Sequence, residues 1–188
     1  MNCSSPHPLL LLLLLPFLAS CDKIKERAYA ISPADTVKFV KEDWALKLTY
    51  CQPTKKGRLI FGTEEEEALV PYGKIWRTGA NDASEITTNK DLLIYNDTLK
   101  QGRYSLYTIP EKDHWTIAIN KKVDYWGMSP FGEVYEPELD VLRFKVPVKQ
   151  IKPIIEPFTM ELNQKPDALI WTMKWDQTAV EIPLNLKP

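Results

Sequence analysis

The sequence predicts an all-β protein, an antiparallel β-sandwich of about ten strands, jelly-roll-like or Ig-like, with one short helix near residues 64–70. Three observations carry this expectation. Apolar residues recur at every second position in segment after segment beyond Trp44, which marks strands with one buried face. Pro, Gly, Asn and Asp separate those segments at short intervals, as turns require. Only Thr63–Pro71 carries helix-start chemistry.

The elements follow in order. Asp22–Asp43 is charged and lacks glycine, and mixes a tether with a first strand. WALKLTYC then sets Trp44, Leu46, Leu48 and Tyr50 against Ala45, Lys47, Thr49 and Cys51. RLIF (58–61) reads as a short strand. Thr63 with Glu66 forms a capping box, and the glutamates Glu64–Glu67 suit the positive end of a helix dipole. SEITT (84–88), LLIY (92–95) and RYSLYTI (103–109) are further short strands. WTIAIN, VLRFKVPV, FTMELN, ALIWTMKW and AVEIPLNL each repeat the period of two. Asn96-Asp97, Glu111–His114 and Asp176–Thr178 supply turns. Pro147 and Pro183 fall inside strand patterns and predict an edge or a bulge there.

Residues 1–20 stand apart from the fold. The leucine run Leu9–Leu15 is short of the about 20 apolar residues that span a membrane, and matches a signal-peptide core. Leu18-Ala19-Ser20-Cys21 resembles a bacterial lipobox, with Cys21 as the lipidated residue, although no Lys or Arg precedes it. The expected organisation is a lipoprotein signal peptide (1–20), a lipidated cysteine and tether (21–31), and a single β-sandwich domain (32–188). Lipid, including palmitate, at Cys21 would anchor the protein without spanning the membrane. The expected location is the cell envelope, on the outer side of the cytoplasmic membrane or on the outer membrane.

Composition narrows the chemistry. The net charge of −1 gives no footprint for nucleic acid. The cysteines are Cys3, Cys21 and Cys51, so loss of the signal and lipidation of Cys21 leave Cys51 without a disulfide partner. It reads as a small hydrophobe at the end of a strand. His7 lies in the signal, which leaves His114 in the turn EKDH. No multi-histidine metal site can be built, no cofactor is implied, and nucleophilic triads have little to draw on. All seven glycines lie between Gly57 and Gly132, which places the irregular, function-bearing part in the middle of the chain.

That middle contains WRTGANDASE (76–85). Arg77 can present a planar fork to a carboxylate, phosphate or sugar hydroxyls. Asn81, Asp82 and Glu85 offer polar partners and Trp76 a stacking face, with Tyr72, Trp115, Tyr125 or Trp126 as further aromatics. Asp82 and Glu85 could also act as an acid and base on a glycosidic bond, although their spacing in sequence does not fix their separation. The structural alternative carries more weight. Trp76 then plugs the core, Asn81-Asp82 forms a turn, and Arg77 pairs with Glu85.

The segments YCQPTKKGRLIFG, YGKIWRTGANDASEI and GRYSLYTIP resemble, in order and spacing, the uncharacterised family known as domain of unknown function 2911. Weaker echoes follow at Trp126-Gly127 and Tyr135, and the similarity runs from Ser32-Pro33 nearly to the C-terminus. Cys51-Gln52 stands where the family tends to have Ser-Arg, which leaves Arg58 as the nearest guanidinium. The resemblance implies an envelope or secreted domain and no specific reaction.

The expected function is a lipid-anchored, non-catalytic module that binds a glycan or another envelope component. Its candidate ligand-binding residues are Arg58, Trp76, Arg77, Asn81, Asp82 and Glu85, with no catalytic residue assigned. The alternatives are a carboxylate-dependent hydrolase of envelope polysaccharide and a structural subunit of an envelope assembly.

Overall fold

The computed structural model describes residues 32–123, 128–129, 132–133 and 135–187, with backbone alone at 128–129 and 132–133. The expected signal peptide, Cys21 and tether lie outside the described residues, as do Tyr125 and Trp126. A compact unit covers Ile31–Pro188. No helix among the described residues is long and apolar enough to cross a membrane.

The fold is almost wholly β. The strands are β1 (Ala34–Lys41), β2 (Trp44–Cys51), β3 (Phe61–Gly62), β4 (Val70–Pro71), β5 (Ser84–Thr88), β6 (Leu92–Ile94), β7 (Asp97–Leu99), β8 (Gly102–Pro110), β9 (His114–Asn120), β10 (Met128–Ser129), β11 (Gly132–Glu133), β12 (Asp140–Gln164) and β13 (Leu169–Leu186). Nine of them form one antiparallel sheet in the order β1-β2-β5-β8-β9-β12-β13-β6-β7. SEITT is a strand over the residues its alternation predicts. VLRFKVPV and FTMELN fuse into β12, and ALIWTMKW and AVEIPLNL into β13.

β12 joins the two halves of the sheet. Asp140–Pro147 pairs with β9, whereas Val148–Gln164 pairs with β13. Leu46, Leu48, Ile86, Leu106 and Ile117 from one half share a single core with Leu92, Met173, Val180, Ile182 and Leu184 from the other. Burial of both inner faces is what holds two sheet halves together. On the far side, Met160 N donates to Tyr50 Oη at 3.0 Å, and Thr54 bridges Pro157.

Pro147 and Pro183 occupy handovers rather than edges. Pro147 faces His114 at the end of the β9 pairing, and Val148 begins the β13 pairing. Pro183 lies between Val180, paired to β12, and Leu184, paired to β6. At a handover a missing N–H removes little from either ladder. The register shifts in β12 come between Asp140 and Leu142 and between Gln150 and Thr159 instead.

The helix expected near 64–70 does not form. Its capping box does: Thr63 N donates to Glu66 Oε2 at 2.8 Å, and Glu66 N to Thr63 Oγ1 at 3.3 Å. Glu67 then turns left-handed, with φ of 56°. β3 and β4 lie parallel, Phe61 against Val70, so the chain must come back within one turn. Leu69 N and Val70 N donate to the carbonyls of Leu59 and Ile60 at 3.0 and 2.9 Å. Those bonds replace helical ones, and of RLIF only Phe61 falls in a strand, Phe61–Gly62.

Candidate functional site

A strand has two faces, and on β8 both are buried. Tyr104 and Leu106 enter the core. Arg103, Ser105 and Tyr107 alternate with them and point to the opposite, outer face. Even there Ser105 and Tyr107 are 1% exposed. Tyr107 packs with Ala83 and Ala118 in a small second cluster, joined by Ile75 and Tyr135.

Strand pairing sets a polar row across this outer face. Glu85 on β5 faces Ser105 on β8, Ser105 faces Asn120 on β9, and Asn120 faces Asp140 on β12. Paired residues project to the same side, so these four side chains are lateral neighbours. Asn120 is buried, and the carboxylates of Glu85 and Asp140 are largely shielded.

Each end of the row is charge-balanced. Arg103 donates from Nε to Glu85 Oε2 at 2.9 Å and from Nη2 to Oε1 at 2.8 Å. At the other end Tyr135 Oη donates to Asp140 Oδ2. Arg143 Nη1 donates to Tyr135 Oη at 2.8 Å and to Asp140 Oδ2 at 3.4 Å. Burial, together with the charge of Asp140, pushes the Tyr135 phenol well up from its ordinary range. Between the ends, Asn120 Nδ2 donates to Asp140 Oδ1 at 2.9 Å and to Glu136 O at 2.8 Å. Lys122 N donates to Asn120 Oδ1 at 2.9 Å.

Two hydroxyls in this row and the next are unspent. Thr87 faces Arg103 one step along from the Glu85–Ser105 pair. The four side chains make a square: one diagonal is the Glu85–Arg103 ion pair, the other is Thr87 and Ser105. Thr87 Oγ1 and Ser105 Oγ are buried and have no hydrogen-bond partner among the described residues. Buried polar groups are nearly always paired, so such exceptions point to strain, water or function.

The candidates from WRTGANDASE separate. Trp76 is in the core: its ring stacks on Trp175 at 5.8 Å and 20° and meets Trp115, Phe158 and Phe61 edge-on at 5.9, 5.0 and 6.0 Å. Its Nε1 donates to Gly79 O at 2.9 Å. Its backbone bridges Thr108, so alternation turns Ile75 and Arg77 toward the outer face. Arg77 is half-buried there, and its carbonyl accepts from Ser84 N at 3.1 Å. Asn81 adopts φ of 57°, and its Nδ2 donates to Ser32 O at 3.0 Å. Asp82 is exposed. Arg58 lies elsewhere, in the 54–58 turn, donating to Lys55 O at 3.0 Å and Thr54 O at 2.5 Å. The expected Arg77–Glu85 pair is replaced by Arg103–Glu85, because β8 lies against β5 and brings Arg103 diagonally opposite.

The fold thus brings Arg77 and Glu85 to the outer face and puts Trp76 and Arg58 elsewhere. Arg103, Ser105, Asn120, Tyr135, Asp140 and Arg143 escaped the reading of the sequence. One signal was available: in RYSLYTI the positions opposite the apolar ones hold Arg, Ser and Tyr rather than the Lys and Glu of a solvated face. His114 opens β9, half-buried, with Nδ1 2.7 Å from Asp113 Oδ1. Cys51 is a half-buried free thiol. No group of three His, Cys, Asp or Glu side chains among the described residues is placed to hold a metal.

Comparison with curated proteins and with solved structures returns no match. The family described as "Protein of unknown function (DUF2911)" matches residues 32–184, from the start of the described chain through most of β13, and takes in every residue of the polar row. With a match of that extent, the chain belongs to this family.

Proposed function

We propose that the protein is a lipid-anchored envelope module that binds a neutral glycan, or an envelope component of like chemistry, at the outer-face row Glu85–Ser105–Asn120–Asp140. The observation that carries this reading is Ser105, 1% exposed with an unpartnered hydroxyl at the centre of the row. A buried hydroxyl without a partner costs about 1–3 kcal/mol. For the fold alone that hydroxyl is a cost; a ligand hydroxyl would supply its partner once the side chains over it move aside.

The charge pattern speaks for a neutral ligand. Glu85 is matched by Arg103 and Asp140 by Arg143, so the row has little net field for an anion. Sugar hydroxyls both donate and accept, as does the Ser105 hydroxyl between the two ion pairs. The hydrolase alternative has less support. Glu85 and Asp140 sit three strand spacings apart, about 14 Å across the sheet at about 4.8 Å each. Glycosidase carboxyl pairs lie about 5–9.5 Å apart.

The experiment is calorimetric titration of the full-length protein with soluble peptidoglycan fragments and neutral glucan oligosaccharides. One of them gives saturable heat, and Ser105→Ala loses it while the melting temperature holds. No heat with any saccharide, or equal heat from Ser105→Ala, would remove the site from this row. Membrane anchoring is tested separately: Cys21→Ala moves the protein to the soluble fraction if Cys21 carries the lipid.

A further inference from the structure

Lys38 on β1 and Lys47 on β2 stand directly opposite each other in the β1–β2 ladder. Their neighbours in each strand, Val37, Phe39, Leu46 and Leu48, turn toward the core. Both lysines therefore project from the outer face, and both are exposed. Opposed side chains start about 5 Å apart at Cβ, and like charges in that position repel. Neither ammonium has an ion pair or hydrogen bond among the described residues.

Other cations on the ladders are matched: Arg103 holds Glu85, Lys149 holds Glu181 and Lys174 holds Glu161. The acids closest to the lysine pair are engaged elsewhere. Glu85 lies diagonal to Lys47 across the β2–β5 ladder, and both its oxygens accept from Arg103. Asp35 accepts from Tyr50 Oη at 2.9 Å and from Gln52 Nε2 at 3.2 Å, and Asp43 pairs with Lys90. A lysine on an edge strand guards against pairing with another sheet edge. That accounts for Lys38 on β1 and not for Lys47, one strand further in.

The surroundings leave the pair accessible. Thr36, Val40 and Ala45 share its face and are exposed. An ammonium lacks the flat fork that matches a carboxylate, and binds phosphate as a point charge. A phosphate monoester carries about −1.5 to −2 charges at pH 7, which suits two ammonium groups. The polar row has no such excess, because each of its carboxylates has its own arginine.

We propose that Lys38 and Lys47 form a binding site for a phosphate monoester, which bridges their two ammonium groups and offsets their repulsion. The site is separate from the polar row and stands whether or not that row binds a glycan.

The test titrates the ¹⁵N-labelled full chain with glycerol 1-phosphate at constant ionic strength. The amide resonances of Lys38 and Lys47 shift saturably, and acetate does not reproduce the shift. Lys38→Ala weakens binding about two- to fivefold, the effect of one exposed charge contact. Lys38→Glu gives Lys47 a carboxylate across the ladder and abolishes the saturable shift. Ser105→Ala, in the polar row, leaves it intact. No saturable shift in the wild-type chain overturns the proposal without reference to any variant. So does an equal response to acetate, or undiminished binding in Lys38→Glu. A soluble ester and a lipid headgroup share this chemistry, and vesicles containing phosphatidic acid separate them, with Cys21→Ala as the parent chain. Pelleting that Lys38→Glu removes assigns the headgroup; no pelleting, with the glycerol 1-phosphate shift retained, assigns the soluble ester.

Discussion

Arg103 grips Glu85 through two near-parallel hydrogen bonds of 2.9 and 2.8 Å, across the β5–β8 ladder. The Glu85 side chain is 15% exposed and that of Arg103 is 44% exposed. The pair therefore falls between an exposed ion pair, worth about 0–1 kcal/mol, and a buried one, whose breakage costs about 3–5 kcal/mol. Arg103→Ala is expected to lower stability by about 1–2 kcal/mol in urea unfolding. Arg103→Lys recovers only part of this, since an ammonium cannot make the two-pronged contact. An unchanged midpoint in Arg103→Ala would assign the pair no role in stability.

Ser105→Ala has the opposite signature. Deleting an unpartnered buried hydroxyl removes a desolvation cost and no bond. Stability is expected to stay within about 0.5 kcal/mol of the parent, or to rise. A loss of about 1 kcal/mol or more in urea unfolding would show that the hydroxyl is bonded in the fold.

Trp76 is a core residue, and its substitution acts on folding. Trp76→Ala is expected to cost about 3–5 kcal/mol, from the volume lost among Trp175, Trp115, Phe158 and Phe61. Trp76→Phe fills most of that space but leaves Gly79 O without its donor, at about 1–2 kcal/mol. Equilibrium denaturation of both variants separates packing from the hydrogen bond.

Gly79→Ala tests the close approach of the WRTGANDASE loop to β2. A Cβ at residue 79 would come within 3.0 Å of Cys51 O and 3.0 Å of Ser84 Oγ. The backbone carbonyl cannot yield cheaply, so a loss of about 1–3 kcal/mol is expected. A neutral result in thermal unfolding would mean that the loop moves away from β2 at little cost.

Tyr50 predicts an alkaline limit. Burial pushes its phenol up to about 12, and its hydrogen bond to Asp35 acts in the same direction. A phenol whose folded pKa exceeds its unfolded value of about 10 favours the folded state in its protonated form. That stability is fully present below pH 10 and is lost as pH rises from 10 through 12. Tyr50→Phe should flatten the slope of stability across this window. At neutral pH it should cost about 1–2 kcal/mol, because Met160 N loses its acceptor. Urea midpoints at pH 8 and pH 11 for both proteins decide it; parallel slopes would clear Tyr50.

The strand pattern was legible in the sequence because it is local. SEITT and RYSLYTI carry their own alternation, and they become β5 and β8. The capping box at Thr63 and Glu66 was legible too, and it forms. The helix it announced was not decided locally: the parallel pairing of Phe61 with Val70 needed a tight return.

What the sequence by itself determined is an all-β chain with apolar and polar faces along each strand, since side-chain alternation follows from backbone geometry alone. Its family membership was legible in the same way, from motifs contiguous in the chain. Tertiary structure decided which polar faces meet. Glu85, Ser105, Asn120 and Asp140 are distant in sequence, and only the order β5-β8-β9-β12 and its register put them in one row. It also decided that Trp76 turns inward while Arg77 turns outward, because the bridge to Thr108 fixes the phase of that short segment. Register is a property of partners, and a single strand's sequence does not contain its partners.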